Sequence, residues 1–190
     1  MLDAPHMTPL AGYAEGLRAG RDTDVPDFDP LDGGVGADIL FLLEKPGPRG
    51  RSGFVSRDNG TGTSDAIRDF MAEAGIARER TALWNAVPWW NGTTAIRQGE
   101  RVAGTVALAA LLPLLPRLRT VVMVGRSAEQ ARPALEGRGL ALFTSAHPSP
   151  QVRAGWPERW RAIPAEWRRA GSDVVVVHGD VPAGGVGLAG

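Results

Sequence analysis

The most restrictive feature of the chain is a short apolar run that ends abruptly in charged residues and prolines. Asp38–Leu43 reads DILFLL, and the next five residues, 44–48, read EKPGP. A six-residue apolar run bounded by glycine and proline is typical of a buried strand in a parallel sheet, although periodicity alone leaves a short buried helix open. Ligands of open α/β sheets bind beyond the carboxyl ends of the strands, so a site is expected at Glu44 and Lys45.

Further along the chain, apolar strand candidates alternate with segments of helical spacing. Three more buried strands are predicted, at Thr81–Val87, Arg119–Val124 and Leu140–Ser145. Helices are predicted through Leu10 and Leu17 to Gly20, from a cap at Thr63 or Ser64 to Gly75, at Arg101–Leu115, from Gly125 to about Leu135, and through a packed face of Trp156, Trp160 and Trp167. Asp173–His178 indicates a fifth, edge strand or an extended tail. The alternation predicts an α/β fold whose parallel sheet is covered on both faces.

Length and composition narrow the class of protein. The 190 residues are enough for one domain with a sizeable core, in which residues 1–36 form a helix and loop and residues 179–190 a disordered tail. The absence of cysteine excludes disulfides, thiol catalysis and Cys-ligated metal clusters, and we expect no cofactor. No signal-peptide pattern and no membrane-spanning run are found, so we expect a cytoplasmic monomer without a membrane partner.

Three polar residues fall at or just beyond predicted strand ends. Glu44 follows the first strand, Asn85 lies near the end of the second, and His147 follows the fourth. Because the carboxyl ends of parallel strands meet at one edge of the sheet, we expect the three side chains to share one site. Taken singly, each has a simpler interpretation: a solvated Glu44–Lys45 pair, a turn-capping Asn85 and a hydrogen-bonded loop histidine.

The same segments resemble, in this order, the signature motifs of the uracil-DNA glycosylase superfamily. They are Glu44-Lys45-Pro46-Gly47, Leu83-Trp84-Asn85-Ala86-Val87 and His147-Pro148-Ser149-Pro150, with Phe54 where the family has its base-stacking phenylalanine. The last segment matches the family's second motif letter for letter. The resemblance covers roughly residues 38–169, and three segments in order are more specific than one.

The resemblance implies a three-layer α/β/α sandwich with a central four-stranded parallel sheet, and excision of uracil from DNA by base flipping. Phe54 would then stack on the extruded base, with Lys45, Pro46 and Gly47 beside it, and Asn85 would read its N3–H and O4. Glu44 would stabilise the sugar cation and orient the attacking water, and His147 would donate a hydrogen bond to the departing uracil anion.

The DNA partner would be held by residues around these motifs. Ser149 would bind a phosphate, and Gln151 occupies the position from which relatives insert a side chain into the duplex. Lysine plus arginine equal aspartate plus glutamate at 21 each, so binding depends on local basic patches. Basic residues flank the motifs at two places. Arg153 follows the last motif, and the cluster Lys45, Arg49, Arg51 and Arg57 lies in and after the first.

The first motif departs from the family pattern. Leu43 stands where the family has glycine, and Lys45 stands where the glutamate-bearing branch has alanine and others have aspartate or asparagine. That branch typically carries an iron–sulfur cluster, which a chain without cysteine cannot bind. Lys45 has three possible roles: lowering the pKa of Glu44, contacting DNA phosphate, or marking a branch with a different damaged base.

Two other classes of function remain open at this level. A non-catalytic relative would bind nucleic acid or a nucleobase through the same edge of the sheet. A small-molecule hydrolase would use a strand-end site on an unrelated α/β fold. Trp89 and Trp90 either line the pocket or anchor the loop that carries them.

Overall fold

The computed structural model describes residues 1–19, 23–47 and 52–172, and the following elements belong to these ranges. The strands are β1 (Asp27–Phe28), β2 (Ile39–Leu43), β3 (Phe54–Val55), β4 (Thr81–Asn85), β5 (Thr120–Val124) and β6 (Ala141–Ser145). The helices are α1 (Thr8–Arg18), α2 (Gly62–Ala74), α3 (Gln98–Leu111), α4 (Arg126–Glu129), α5 (Arg132–Leu135), α6 (Pro150–Gly155) and α7 (Pro157–Ser172). Single 3₁₀ turns occur at Gly34–Gly36, Arg78–Arg80 and Leu112–Leu114.

Four strands form the predicted parallel sheet, in the order β4-β2-β5-β6. The register pairs Leu43 of β2 with Asn85 of β4, and Val124 of β5 with Ser145 of β6. The strands therefore end nearly level, which brings Glu44, Asn85 and the residues after Ser145 to one edge. A smaller parallel pair, β1 with β3, places Asp27 opposite Phe54.

Helices flank the sheet, which gives the α/β/α fold that the sequence predicts. Helix α7 packs on β5, β6 and α2, and α1 packs on α3. Phe41 of β2 meets the edge of Trp167 with ring centroids 4.8 Å apart, and Trp84 of β4 stacks on Phe28 at 3.8 Å. Because both faces are covered, Leu40 and its neighbours in β2 are fully buried, which explains the uninterrupted apolar run.

Several predicted boundaries are wrong for local reasons. Helix α2 is capped by Thr61, not by Thr63 or Ser64, because the Thr61 hydroxyl accepts the Ser64 N–H at 3.1 Å and the Ser64 hydroxyl accepts the Thr61 N–H at 2.8 Å. The helix predicted from Gly125 is two short helices, α4 and α5, the second of which has a proline in its first turn.

The predicted helix at Arg101–Leu115 begins earlier, at Gln98, and becomes a 3₁₀ turn at its proline. Trp156 is not part of a packed helix face: it lies between α6 and α7 and is 57% exposed. The predicted strand at Asp173–His178 and the tail at 179–190 lie outside the described residues.

Candidate active site

The polar residues at the strand ends line one cavity of about 540 Å³ at the carboxyl edge of the sheet. Glu44, Asn85 and His147 all contribute to its lining, and we call these three residues the sheet wall. Leu43 and the predicted substrate-binding residues Lys45, Pro46 and Gly47 line the same cavity. The structure thus brings together the acid, the amide and the imidazole that the strand-end argument expected in one place.

Glu44 and His147 are packed against the same glycine. The Glu44 Oε1 atom accepts a hydrogen bond from the Ser127 backbone N–H at 3.0 Å. Gly125 has a φ of 93°, and a Cβ there would lie 2.5 Å from Glu44 Oε1 and 3.2 Å from the His147 Cβ. Only glycine fits this position, for steric as well as conformational reasons. From the sequence, Gly125 is predicted only as the start of a helix, although a glycine directly after a buried strand is a usable signal for such a contact.

The His147 side chain is half-buried in the cavity wall. Burial lowers the pKa of His147 below its ordinary value of 6.5, while the nearby Glu44 charge acts in the opposite direction. A lowered pKa keeps the imidazole neutral at pH 7, and a neutral imidazole carries one N–H. His147 can therefore donate one hydrogen bond to a ligand without being a cation.

Asn85 is the most deeply buried polar residue of the sheet wall, at 4% exposure. Within the described ranges its side-chain amide makes no hydrogen bond to the protein, although it lines the cavity. Buried polar side chains are normally hydrogen-bonded. The amide therefore presents a free donor and a free acceptor to whatever occupies the cavity.

Phe54, on the short strand β3, also lines the cavity. Its main chain is fixed on both sides: its N–H donates to the Ser52 hydroxyl at 3.2 Å, and its carbonyl accepts from Asn59 Nδ2 at 3.0 Å. In the part of the chain that the structure describes, no other aromatic ring packs on the Phe54 ring. The backbone that carries the ring is thus fixed at the cavity, where the side chain can meet a ligand.

The predicted basic cluster does not form an exposed phosphate contact at Lys45 or Arg57, and this expectation was wrong. The Lys45 side chain is 2% exposed, and its ammonium group donates to Glu100, Asn91 and Ala95. Arg57 is 4% exposed and is bound to Thr81 and, at 3.2 Å, to Asp32. Charged side chains so deeply buried require such partners. The other two members of the cluster, Arg49 and Arg51, lie outside the described residues.

The HPSP segment leads directly into α6. Ser149 is the N-cap of that helix: its hydroxyl accepts the Val152 N–H at 3.3 Å, and the residue lines the cavity. Gln151 is exposed and also lines the cavity, so it lies at the mouth. Arg153 is not part of the lining. Its guanidinium lies over the Trp160 ring, 5.8 Å from the centroid.

Several cavity residues come from segments that the motifs do not cover. Pro26 precedes β1, and Trp90 and Thr94 lie between β4 and α3; with Phe54 we call them the loop wall. The Trp90 main chain is bridged to that of Asp24 by hydrogen bonds of 2.7 and 3.2 Å. For Trp90 both alternatives hold, since it lines the cavity and its loop is anchored, whereas Trp89 is buried and is not part of the lining. Only long-range pairing brings these segments together, so the sequence contains no local signal for them.

Within residues 1–19, 23–47 and 52–172, no group of histidine, aspartate and glutamate side chains is arranged to hold a metal ion. In the same ranges, no helix has the length and apolar character needed to cross a membrane.

Comparison with known proteins identifies the family. The chain belongs to the Uracil DNA glycosylase superfamily, whose sequence profile matches residues 32–180. No curated protein sequence matches the chain. The solution structure of a candidate uracil DNA glycosylase from Methanosarcina acetivorans is similar, with a TM-score of 0.50 and 21% identity, over 74% of this chain and 93% of the other.

A second solved structure that was found to be similar to this chain is that of a variant of mimivirus UNG in complex with UGI. Its TM-score is 0.41 at 13% identity, over 80% of this chain and 66% of the other. The fold and the family together support a DNA glycosylase-like role for the chain. The family profile begins after residue 31, so Asp24 and Pro26 of the cavity lie outside the matched part.

Proposed function

We propose that the protein is a monofunctional DNA glycosylase that removes uracil, or a related deaminated base, from DNA by base flipping and hydrolysis. The observation that carries this proposal is the unpaired amide of Asn85 in the cavity that Glu44 and His147 also line. A buried amide without a protein partner is suited to reading the edge of a base. The carboxylate and the imidazole are suited to the bond cleavage that follows.

Recognition of the base follows from the two walls. Extruded uracil stacks on the Phe54 ring and offers its N3–H and O4 to the Asn85 amide, whose oxygen accepts and whose nitrogen donates. Cytosine presents the reverse pattern, an acceptor at N3 and a donor at N4, and is rejected by the mismatch. The selectivity therefore depends on the amide being fixed at the end of β4.

Hydrolysis breaks the bond between C1′ of the sugar and N1 of uracil, and the bonding electrons leave with the base. The C1′ cation is stabilised by the Glu44 carboxylate, and the oxygen of an attacking water forms the new bond to C1′. Glu44 Oε1 is fixed by the Ser127 N–H, so the second oxygen, Oε2, is the one that orients this water and takes the proton that it loses as the new bond forms. Glu44 then returns this proton to solvent, and the uracil anion takes up one proton from solvent. His147 donates its single N–H to the O2 atom of the uracil anion.

The position of Lys45 supports a monofunctional reaction without lyase activity. This residue is the single lysine of the chain, and a lysine-based lyase needs a free amine to attack C1′. The Lys45 ammonium is instead bound to Glu100 at 2.7 Å and to two further acceptors. Borohydride treatment during turnover should therefore trap no covalent protein–DNA adduct through this residue.

The DNA is held at the mouth of the cavity. Ser149 and Gln151 line that mouth, and Arg153 follows on α6 with no acidic partner among the described residues. With a net charge of zero, the protein depends on such local contacts for affinity, and its DNA binding should weaken as salt is added. The protein acts as a monomer without a cofactor in this proposal.

Single- and double-stranded oligonucleotides carrying one uracil test the proposal. They are incubated with the protein and then cleaved at abasic sites with alkali. The wild type should produce abasic sites, and His147→Ala should reduce the rate about 10²–10³-fold, as loss of one donor to a developing anion does. Asn85→Asp should weaken or invert the preference for uracil over cytosine.

The non-catalytic alternative gives a different result in the same experiment. Salt-dependent DNA binding without release of uracil, hypoxanthine or xanthine would assign the protein as a binding module. Neither binding nor cleavage would leave only a hydrolase of small molecules. Unchanged base selectivity in Asn85→Asp would remove this residue from base recognition.

A further inference from the structure

Lys45 lies next to the proposed catalytic Glu44 but faces a different set of partners. Its ammonium donates to Asn91 Oδ1 at 2.7 Å, to Glu100 Oε1 at 2.7 Å and to the Ala95 carbonyl at 3.2 Å. An ammonium group has three N–H donors, so all of them have protein acceptors. We call Lys45, Asn91, Ala95 and Glu100 the Lys45 cluster.

Glu100 connects the other members of the Lys45 cluster. The same Oε1 atom also accepts from Asn91 Nδ2 at 3.0 Å, and Oε2 accepts the Arg97 N–H at 2.9 Å. Burial acts to raise the pKa of the Glu100 carboxyl, but the hydrogen bond from the Arg97 N–H and the bond and charge of Lys45 outweigh it and lower the pKa. The carboxylate is therefore ionised at neutral pH and pairs with a 2% exposed lysine.

The cluster encloses the chain segment that carries part of the loop wall. Trp90 directly precedes Asn91, and Thr94 directly precedes Ala95, so two anchor points lie one residue from two cavity-lining residues. The main chain of Trp90 is fixed from the other side by its bridge to Asp24. The Lys45 cluster thus links the end of β2 to the segment that carries Trp90 and Thr94.

We propose that Lys45 is a positioning residue, which acts through Glu100 and Asn91 to hold Trp90 and Thr94 against the base in the cavity. This inference rests on the proposed glycosylase function for the identity of the ligand. It assigns a role to the residue at which the first motif departs from the family pattern. Lys45 acts on how tightly the base is bound, whereas Glu44 acts on how fast the bond breaks.

Three variants test the proposal by single-turnover kinetics on a uracil-containing single strand. Lys45→Met and Glu100→Gln each remove one charge with little change in volume, and Arg80→Met is the matched control. Arg80 is partly buried and pairs with Asp38 at 2.9 Å at the opposite end of the sheet. Lys45→Met should raise the half-saturating protein concentration about tenfold and change the maximal rate less than about threefold.

The double variant Lys45→Met with Glu100→Gln should have a half-saturating concentration no higher than that of the more impaired single variant, because the two residues act as one unit. Arg80→Met should lower the melting temperature without changing either kinetic constant. The proposal is overturned if Lys45→Met lowers the maximal rate as Glu44→Gln does, if the effects of the two single variants add, or if Lys45→Met behaves like Arg80→Met.

Hydrogen exchange separates failure of this inference from failure of the proposed function. Peptides covering residues 90–97 should exchange faster in Lys45→Met than in the wild type, while peptides of α2 remain unchanged. This measurement needs no substrate, so it tests the cluster even if the wild type cleaves no DNA. Unchanged exchange at residues 90–97 would contradict the proposal.

Discussion

The two walls of the cavity are held by different kinds of contact. The sheet wall is fixed by strand register and by one backbone N–H, because Asn85 lies opposite Leu43 and Ser127 binds Glu44. The loop wall depends on side-chain contacts and short pairings, such as the Lys45 cluster and the β1–β3 pair. Changes at Glu44 and His147 of the sheet wall should alter the rate of bond cleavage, changes at Asn85 should alter base selectivity, and changes in the loop wall should alter affinity.

The largest effect is expected for Glu44→Gln. The amide keeps the shape but lacks the charge that stabilises the sugar cation, so the maximal rate should fall about 10²–10⁴-fold. DNA affinity, measured by fluorescence anisotropy, should change little. A large loss of affinity at an unchanged rate would reverse the assignment of the sheet wall to chemistry.

Gly125→Ala is expected to have the next largest effect. The new methyl group would collide with the Glu44 carboxylate and press on the His147 Cβ, so both side chains have to move. The maximal rate should fall about 10²-fold, as for other small displacements of catalytic groups. Ser127→Ala is the control: it keeps the N–H that binds Glu44 and should retain activity. Equal rates for the two variants would show that the contact at Gly125 has no role in the chemistry.

Phe54→Leu tests the loop wall. Leucine keeps apolar contact but loses the aromatic face, so affinity for uracil-containing DNA should fall about tenfold at a nearly unchanged maximal rate. Phe54→Tyr keeps the ring and should bind as the wild type does. If Phe54→Leu slows the chemical step instead, the division between the two walls fails.

Arg153→Ala should have a smaller effect that does not depend on the base. A lost phosphate contact weakens binding to all sequences alike and lowers the salt slope by about 1. Anisotropy titrations at several salt concentrations measure both quantities. Affinity lost only for uracil-containing DNA would place Arg153 in base recognition.

The smallest effect is expected from pH. Burial lowers the pKa of His147 below the ordinary value of 6.5, so its imidazole is neutral above about pH 6.5. The maximal rate should stay flat between about pH 6.5 and about pH 8.5, and should change only at lower pH as the imidazole is protonated. A rate that falls steadily across this range would indicate an imidazolium donor.

The difference between the walls also explains what could be predicted from the sequence. Buried parallel strands have uninterrupted apolar runs, so the sheet and the strand-end positions of Glu44, Asn85 and His147 followed from local pattern. The burial of Lys45 in an ion pair could not be predicted in this way, because its partner Glu100 lies 55 residues away in sequence. The contribution of Pro26 depends on segments that meet only in the folded chain. Likewise, the local sequence does not indicate whether a charged side chain is exposed or buried in an ion pair.

The most direct test of the account is a crystal structure with DNA that carries a 2′-fluorinated deoxyuridine, whose glycosidic bond resists cleavage. The account predicts that the uracil is flipped into the cavity and stacked on Phe54. Its N3–H and O4 should be within about 3 Å of the Asn85 amide and its O2 near His147. A uracil that remains in the helix, or binds outside the cavity while Asn85 stays unpaired, would contradict it.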